Sequence, residues 1–160
     1  MSLDEISKEN LLDVKAAVLS YGGYDFYRYA LQNAETYKNI FWWLALAKPR
    51  GVLGEEFNPI DNPEIYKAIS PIYNIPDASE RKLPPQLLTA ATRDRITPVH
   101  MIEEYGKALK EKDQEFEFWE HLGRNHAYLD SGRTLIAGND FIRDGIPALK
   151  VMMDFFDKHL

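Results

Sequence analysis

The chain has 160 residues, a formal net charge of −6 and no cysteine. Its length suits one compact domain, and a 45% share of hydrophobic residues is enough to fill a core. The acidic balance, without any basic stripe, argues against nucleic acid as a partner, and the lack of cysteine excludes disulfides, thiolate nucleophiles and cysteine metal sites. No apolar run is long enough to cross a membrane, because Lys48 and Pro49 interrupt the longest one. We therefore expect neither a nucleic-acid nor a membrane partner.

The N-terminal segment Met1–Glu5 is acidic and lacks the basic and apolar stretches of a signal peptide. If this N-terminus is native, the sequence indicates a cytoplasmic protein. The first three residues could equally be a cloning scar on an internal fragment, in which case the location stays open.

The first half of the chain predicts one strand and two helices. Val14–Tyr21 is short, β-rich and closed by a glycine pair, which favours a buried strand. Asn33–Ala47 carries aromatic and aliphatic residues at helical spacing, and a second helix is predicted to begin at Asn62-Pro63. Two residues are expected to face inward on this second helix: Ile65 and Ile69. We interpret residues 24–70 as a short helical cap.

The second half predicts two more strands and two more helices. Gln86–Ala91 is an apolar run after a proline pair, and Glu115–Trp119 alternates charged and aromatic residues, so both favour strands. One helix begins at Thr97-Pro98 and the last covers Ile146–Leu160. The predicted apolar faces are Val99, Ile102, Tyr105 and Leu109 on the first, and Ile146, Leu149, Met153, Phe156 and Leu160 on the last. This alternation predicts an α/β fold, a parallel sheet flanked by helices.

Two polar side chains follow the ends of predicted strands. Asp94 comes just past Ala91, and His126 lies in the loop beyond the strand that ends near Glu120. Because parallel strands end at the same edge of a sheet, we expect the two side chains to lie close together. A carboxylate beside a histidine fixes the tautomer of the ring and stabilises the imidazolium that forms during catalysis. The pair is a candidate for catalysis.

Each of these residues also has a structural interpretation. Aspartate is common in turns before Thr-Pro, so Asp94 could serve the turn alone, and His126 could be an ordinary loop histidine. The spacing of His121, His126 and Asp130 matches no strong zinc pattern, and solvated side chains are the better interpretation. The remaining histidines are expected at the surface: His100 and His159. We expect no metal and no cofactor.

The segments around the candidate pair resemble α/β-hydrolases. The resemblance is carried by Pro85–Leu88, the Asp94–Pro98 turn and the Gly123–His126 loop, and it covers roughly residues 14–160. The sequence is similar both to small acetyl- and feruloyl-esterases and to the catalytic domain of prolyl-oligopeptidase-like peptidases. The resemblance implies the C-terminal portion of an α/β-hydrolase fold with a short helical cap insertion, in one partial domain over residues 1–160. It also implies that Asp94 and His126 are two members of a Ser-His-Asp triad.

The nucleophile of that family is not recognisable in this sequence. Gly-x-Ser-x-Gly occurs nowhere in the chain, nor does a His-Gly-Gly-type loop that would supply an oxyanion hole. Ser20 precedes the acid and the histidine in the correct order, but Val18 stands where the nucleophile turn needs glycine. The family order of nucleophile, acid and histidine predicts a serine upstream of residue 1. We therefore interpret the chain as a fragment or a truncated gene product.

The resulting prediction is the C-terminal part of a serine hydrolase that acts on carboxylic esters and is inactive on its own. A prolyl-oligopeptidase-type peptidase is the alternative within the same mechanism, and a non-catalytic binding or dimerisation module is the alternative from another class. A nucleotide-binding doubly wound domain is a third possibility, but the sequence has no Gly-rich phosphate loop. An exposed edge at Val14–Tyr21 and the aromatic residues Phe41–Trp43 predict a homo-oligomer.

Overall fold

The computed structural model describes residues 13–31, 53, 57, 59–129, 132–133 and 138–160. Its main sheet has three parallel strands in the order β1-β2-β3. The strands of this sheet are β1 (Ala17–Ser20), β2 (Gln86–Ala91) and β3 (Phe116–His121). A separate antiparallel pair follows, formed by β4 (Gly132–Arg133) and β5 (Gly138–Asn139). The three predicted strands and their parallel arrangement are confirmed, with β1 shorter than the sequence indicated.

The described residues also form helices on both sides of the main sheet. They are α1 (Phe26–Tyr29), α2 (Pro63–Ile69), α3 (Val99–Glu111) and α4 (Ile146–His159), with a 3₁₀ turn at Pro71–Tyr73 and a π-helical turn at Phe141–Gly145. The predicted starts of α2 and α3 are confirmed. The helix predicted over Asn33–Ala47 lies outside the described residues, and the helical cap over 24–70 stays a prediction.

The central strand β2 is buried along its whole length because helices cover both of its faces. Leu88 and Ala90 point toward α3, where Ile102 and Leu109 have no exposed surface. The opposite face of the sheet is covered by α4, in a cluster of Leu87, Ala91, Tyr128, Ala148, Met152 and Phe155. The result is a layered helix–sheet–helix arrangement, and the apolar face predicted for α3 is confirmed.

The apolar stripe predicted for the last helix is wrong. The buried residues of α4 are Ala148, Met152 and Phe155. Most of the predicted stripe is exposed by 37 to 82%: Ile146, Leu149, Met153 and Leu160. Two apolar stripes run along this helix, and the one with the small Ala148 faces the sheet, where the large ring of Tyr128 already occupies space.

The inward residues predicted for α2 are also wrong. Ile65 and Ile69 are 37% and 40% exposed, whereas Tyr66 has no exposed surface. Tyr66 packs in a cluster with Tyr29, Ala30 and Met101. Its hydroxyl donates to the Phe57 carbonyl at 2.8 Å. A tyrosine that fills the core and satisfies its hydroxyl in this way buries more area than either isoleucine.

Strand β1 forms one end of the three-stranded sheet. Association of two chains along this edge stays a prediction, which sedimentation equilibrium of the protein at micromolar concentration would measure directly. Within the described ranges, no helix is both long and apolar enough to cross a membrane.

Candidate active site

Asp94 lies in the turn that directly follows β2. Its N–H donates to the Ala91 carbonyl at 3.0 Å, which closes the turn at the strand end. The N–H of the preceding Arg93 donates to the Arg124 carbonyl at 2.8 Å, and Arg124 belongs to the loop after β3. The two loops are therefore tied together at the same edge of the sheet.

The Asp94 carboxylate is fixed by hydrogen bonds within its own turn. Its Oδ1 accepts from the Ile96 N–H at 2.8 Å and from the Thr97 N–H at 2.9 Å. The Asp94 side chain has no exposed surface. A buried carboxylate held by two backbone donors keeps one orientation, so its second oxygen has a fixed direction. Asp94 therefore stabilises the turn through Oδ1, and its Oδ2 points out of the turn.

His126 lies at the position to which that second oxygen points. Its Nδ1 is 2.7 Å from Asp94 Oδ2. The expected proximity of the two side chains is thus confirmed. With a carboxylate at Nδ1, the stable neutral tautomer carries its proton there and leaves the Nε2 lone pair as an acceptor. No described residue hydrogen-bonds Nε2, and the side chain is 23% exposed.

Thr97 joins this pair to β1, and sequence reasoning missed it. Its Oγ1 is 2.9 Å from Asp94 Oδ2, 3.1 Å from the Tyr21 carbonyl oxygen and 3.3 Å from His126 Nδ1. The hydroxyl can donate to either oxygen and accept from the ring. The Thr-Pro dipeptide after Asp94 signalled a helix start, but nothing local in the sequence indicated that its hydroxyl also faces the histidine.

The ring of Tyr21 forms one wall of the site. It packs against the His126 ring with centroids 5.0 Å apart and against Tyr128 with centroids 5.1 Å apart. Tyr21 has a φ of 41°, a left-handed backbone that is uncommon for a non-glycine residue. This conformation turns the chain out of β1, so that Tyr21 covers one side of the histidine ring.

Ser20 is bonded to a tyrosine next to the site. Its side chain hydrogen-bonds Tyr128, whose hydroxyl also contacts Thr89 Oγ1. Burial raises the pKa of Tyr128 to about 12, so this phenol keeps its proton at neutral pH. Ser20 therefore belongs to a hydroxyl cluster with the buried Thr89 and Tyr128, and in the described part of the chain no hydrogen bond joins it to His126.

Two histidine predictions are wrong. His121 is not solvated: it is 8% exposed, and its Nε2 lies 2.7 Å from the Asp144 carbonyl oxygen. His159 is not a surface residue either, because its side chain is only 10% exposed and packs against Phe155.

Asp130, the third residue weighed for a metal site, lies outside the described residues. Within those residues, no cluster of three or more carboxylate or histidine side chains could hold a metal ion.

An ion cluster beside the histidine loop is centred on the buried carboxylate of Asp144. The Asp144 side chain has no exposed surface and lies 2.7 Å from Arg124 Nε and 2.6 Å from Arg143 Nη2. Hydrogen bonds from Arg143, helped by the Asp140 N–H and the charge of Arg124, outweigh burial and lower the pKa of Asp144 to about 2. This carboxylate is ionised at all but strongly acidic pH.

The lowered pKa predicts an acid-dependent contribution to stability. A depressed folded-state pKa stabilises the fold above the ordinary aspartate pKa, and this contribution is lost as pH falls from about 4 to about 2. We expect Asp144→Asn to lower the free energy of unfolding by about 2 kcal/mol at pH 7, because two guanidinium groups lose their carboxylate. Urea unfolding at pH 7, 5 and 3 measures the difference, which should shrink at pH 3. The exposed Asp154→Asn is the control, and an equal loss at all three pH values would contradict this account.

Comparison with known proteins places the chain in a family. The profile of the Prolyl oligopeptidase family matches residues 15–160. A search of curated proteins finds no match. Among solved structures, the chain is similar to an acylaminoacyl peptidase of Pyrococcus horikoshii, at 22% identity and a TM-score of 0.63 over 91% of this chain and 20% of that one. It is also similar to a truncated carbohydrate esterase from gut microbiota, at 19% identity and a TM-score of 0.63 over 91% of this chain and 42% of that one.

A third similar structure is an esterase of Thermogutta terrifontis with propionate bound, at 20% identity and a TM-score of 0.57 over 91% of this chain and 43% of that one. The chain thus spans between 20% and 43% of the length of these three structures. Their likeness shows the α/β-hydrolase fold, to which the parallel sheet and flanking helices conform. On the match over residues 15–160, this chain belongs to the Prolyl oligopeptidase family and carries part of a serine hydrolase-type α/β-hydrolase fold.

Proposed function

We propose that Asp94 and His126 are the acid and the base of a Ser-His-Asp triad in a hydrolase that acts on carboxylic esters. The observation that carries the proposal is the 2.7 Å contact between His126 Nδ1 and a carboxylate already fixed by its own turn. Both residues follow neighbouring parallel strands, at the sheet edge where α/β folds place functional groups. Membership of the Prolyl oligopeptidase family supports the same assignment.

The proposed reaction needs a serine from a segment N-terminal to these 160 residues. The serine Oγ attacks the ester carbonyl while His126 Nε2 takes its proton, and Asp94 stabilises the resulting imidazolium. His126 then gives the proton to the departing alcohol as the ester bond breaks. Water attacks the acyl-enzyme in the second half, with His126 again as the base, and releases the acid. Backbone N–H groups outside this chain would hold the oxyanion.

A peptide bond is the alternative substrate within this mechanism. The similar structures include both a peptidase and esterases, and an acid–histidine pair serves both reactions. A leaving amine needs the same proton from His126 as a leaving alcohol. The two alternatives therefore differ in the pocket around the substrate, and the test must compare substrates.

The full-length protein containing this chain provides that test. We expect a fluorophosphonate probe to label one serine and short p-nitrophenyl and alkyl esters to be hydrolysed. Turnover of a blocked dipeptide amide in addition to the esters would favour the peptidase alternative. Labelling without turnover of either substrate class would refute the ester assignment but retain a serine hydrolase. If neither labelling nor turnover occurs, the protein is a non-catalytic module and the proposal fails.

The 160-residue chain alone is predicted to be inactive. A histidine and an aspartate without a nucleophile or oxyanion donors stabilise little of the tetrahedral intermediate. We expect its turnover of p-nitrophenyl acetate to equal that of its Ser20→Ala variant, measured by p-nitrophenolate release at pH 8. Hydrolysis that disappears on Ser20→Ala would show that Ser20 is a nucleophile and would overturn the interpretation given above.

A further inference from the structure

The loop that carries His126 is held by side chains from the C-terminal segment. The Asn139 amide, 7% exposed, donates to the carbonyl oxygens of His126 and Ala127, each at 2.8 Å. Both amide protons are thus donated to consecutive peptide groups of the histidine loop. An asparagine that bonds the backbone of the histidine itself controls where that residue sits.

The loop needs this support because its backbone is unfavourable at the bonded position. Ala127 has a φ of 57°, in the left-handed region that a residue with a Cβ rarely adopts. Such a conformation is unfavourable and persists only where surrounding contacts enforce it. The two Asn139 bonds go to the carbonyl oxygens of the peptide groups before and after the Ala127 Cα, so they hold both peptide planes that define this conformation.

A second contact holds the start of the same loop. Arg124 lies two residues before His126, and its Nε is 2.7 Å from Asp144 Oδ1. The N–H is not directed at the oxygen, so this contact is an ion pair and not a directed hydrogen bond. The Arg124 carbonyl meanwhile accepts from the N–H of Arg93, next to Asp94. Arg124 therefore connects the buried Asp144 to the turns of both the acid and the histidine.

We propose that Asn139 and Asp144 form a C-terminal clamp that positions His126 for catalysis, Asn139 through the backbone of the histidine and Asp144 through Arg124. They are positioning residues, since neither contacts the reacting atoms in the mechanism above. The inference rests on the proposed function, because a clamp on His126 matters for activity only if His126 is the base.

Loss of the clamp should weaken catalysis more than substrate binding. Without Asn139 the Ala127 backbone can relax, which moves the His126 ring relative to Asp94 and to the incoming serine. Displacements of about 1 Å in a catalytic group cost up to about 100-fold in rate. We expect Asn139→Ala in the full-length protein to lower kcat about 10- to 100-fold, with KM changed by less than about threefold.

Three matched variants make the measurement specific. Asn74 also donates its amide to backbone carbonyls, those of Lys67, Ala68 and Ser70, but far along the chain from the histidine loop. Asn74→Ala should lose stability without loss of kcat. Asn139→Leu keeps the number and branching of the side-chain heavy atoms, removes the donors and adds no buried charge, so it tests the clamp if Asn139→Ala folds poorly. Asp144→Asn should lower kcat less than Asn139→Ala, because it acts through Arg124.

A spectroscopic readout separates positioning from general destabilisation. The proton shared by His126 Nδ1 and Asp94 should give a downfield proton resonance in the full-length protein, retained in Asn74→Ala and shifted or lost in Asn139→Ala. If Asn139→Ala and Asn139→Leu keep both this resonance and kcat, the clamp does not exist. His126→Ala in the same series distinguishes the failures: an active His126→Ala refutes the proposed function, whereas an inactive one with active Asn139 variants refutes only the clamp.

Discussion

Replacing His126 by alanine should reduce kcat for p-nitrophenyl esters by about 10⁵-fold or more in the full-length protein. The size of the effect follows from the role of the ring, which accepts the nucleophile proton and then donates it to the leaving group. Removing it also leaves Asp94 buried without its partner. The steady-state kcat and the rate of fluorophosphonate labelling should fall together, because both depend on activation of the same serine.

The matched control for this variant is His100→Ala. His100 lies on α3, which packs against the same strand that leads to Asp94, yet its side chain is exposed. We expect its kcat and labelling rate to stay within about twofold of the unaltered protein, since exposed substitutions away from special features have small effects. Labelling that proceeds equally fast in both histidine variants would show that another base activates the serine.

The candidate pair could be predicted because its signals are local. A short apolar run such as Gln86–Ala91 predicts a buried strand, and parallel strands must end at one sheet edge. Asp94 directly follows that strand, and its first oxygen bonds N–H groups only two and three residues later, so its place could be recognised from its immediate neighbours. Only His126, the partner of its second oxygen, lies in a distant segment. That partner could be predicted because His126 follows the next strand of the same parallel sheet.

The rest of the site depends on tertiary contacts that no local pattern encodes. Along α4 two apolar stripes are offset from each other, and only the fit of Ala148 beside Tyr128 decides which one faces the sheet. His121 likewise finds its partner far along the chain, at the Asp144 carbonyl in the π-helical turn before α4. No sequence motif marks Asn139. Its two acceptors, the carbonyls of His126 and Ala127, lie in a loop that does not pair with its strand.

Asp94→Asn should lower kcat by about 10⁴-fold with little loss of fold. The asparagine Oδ1 can still accept from the Ile96 and Thr97 N–H groups, so the turn keeps its bonds. Its amide nitrogen then faces His126 Nδ1, where the carboxylate oxygen was, and donates to the ring. That donation forces the histidine proton onto Nε2, and the ring can no longer accept a proton from the serine. Steady-state kinetics on short esters and urea unfolding measure the two effects side by side.

The control for this prediction is Asp25→Asn, since Asp25 is also a buried aspartate whose carboxylate accepts a backbone N–H bond. It caps α1 by accepting from the Arg28 N–H at 2.8 Å, and its other oxygen accepts from the Tyr73 hydroxyl at 3.1 Å. Both variants remove one charge from a buried aspartate that accepts backbone N–H bonds, and both keep its shape, so their stabilities should change by similar amounts. Only Asp94→Asn should lose activity, because only its second oxygen faces a histidine. Equal and small losses of kcat in the two variants would mean that Asp94 serves the turn alone.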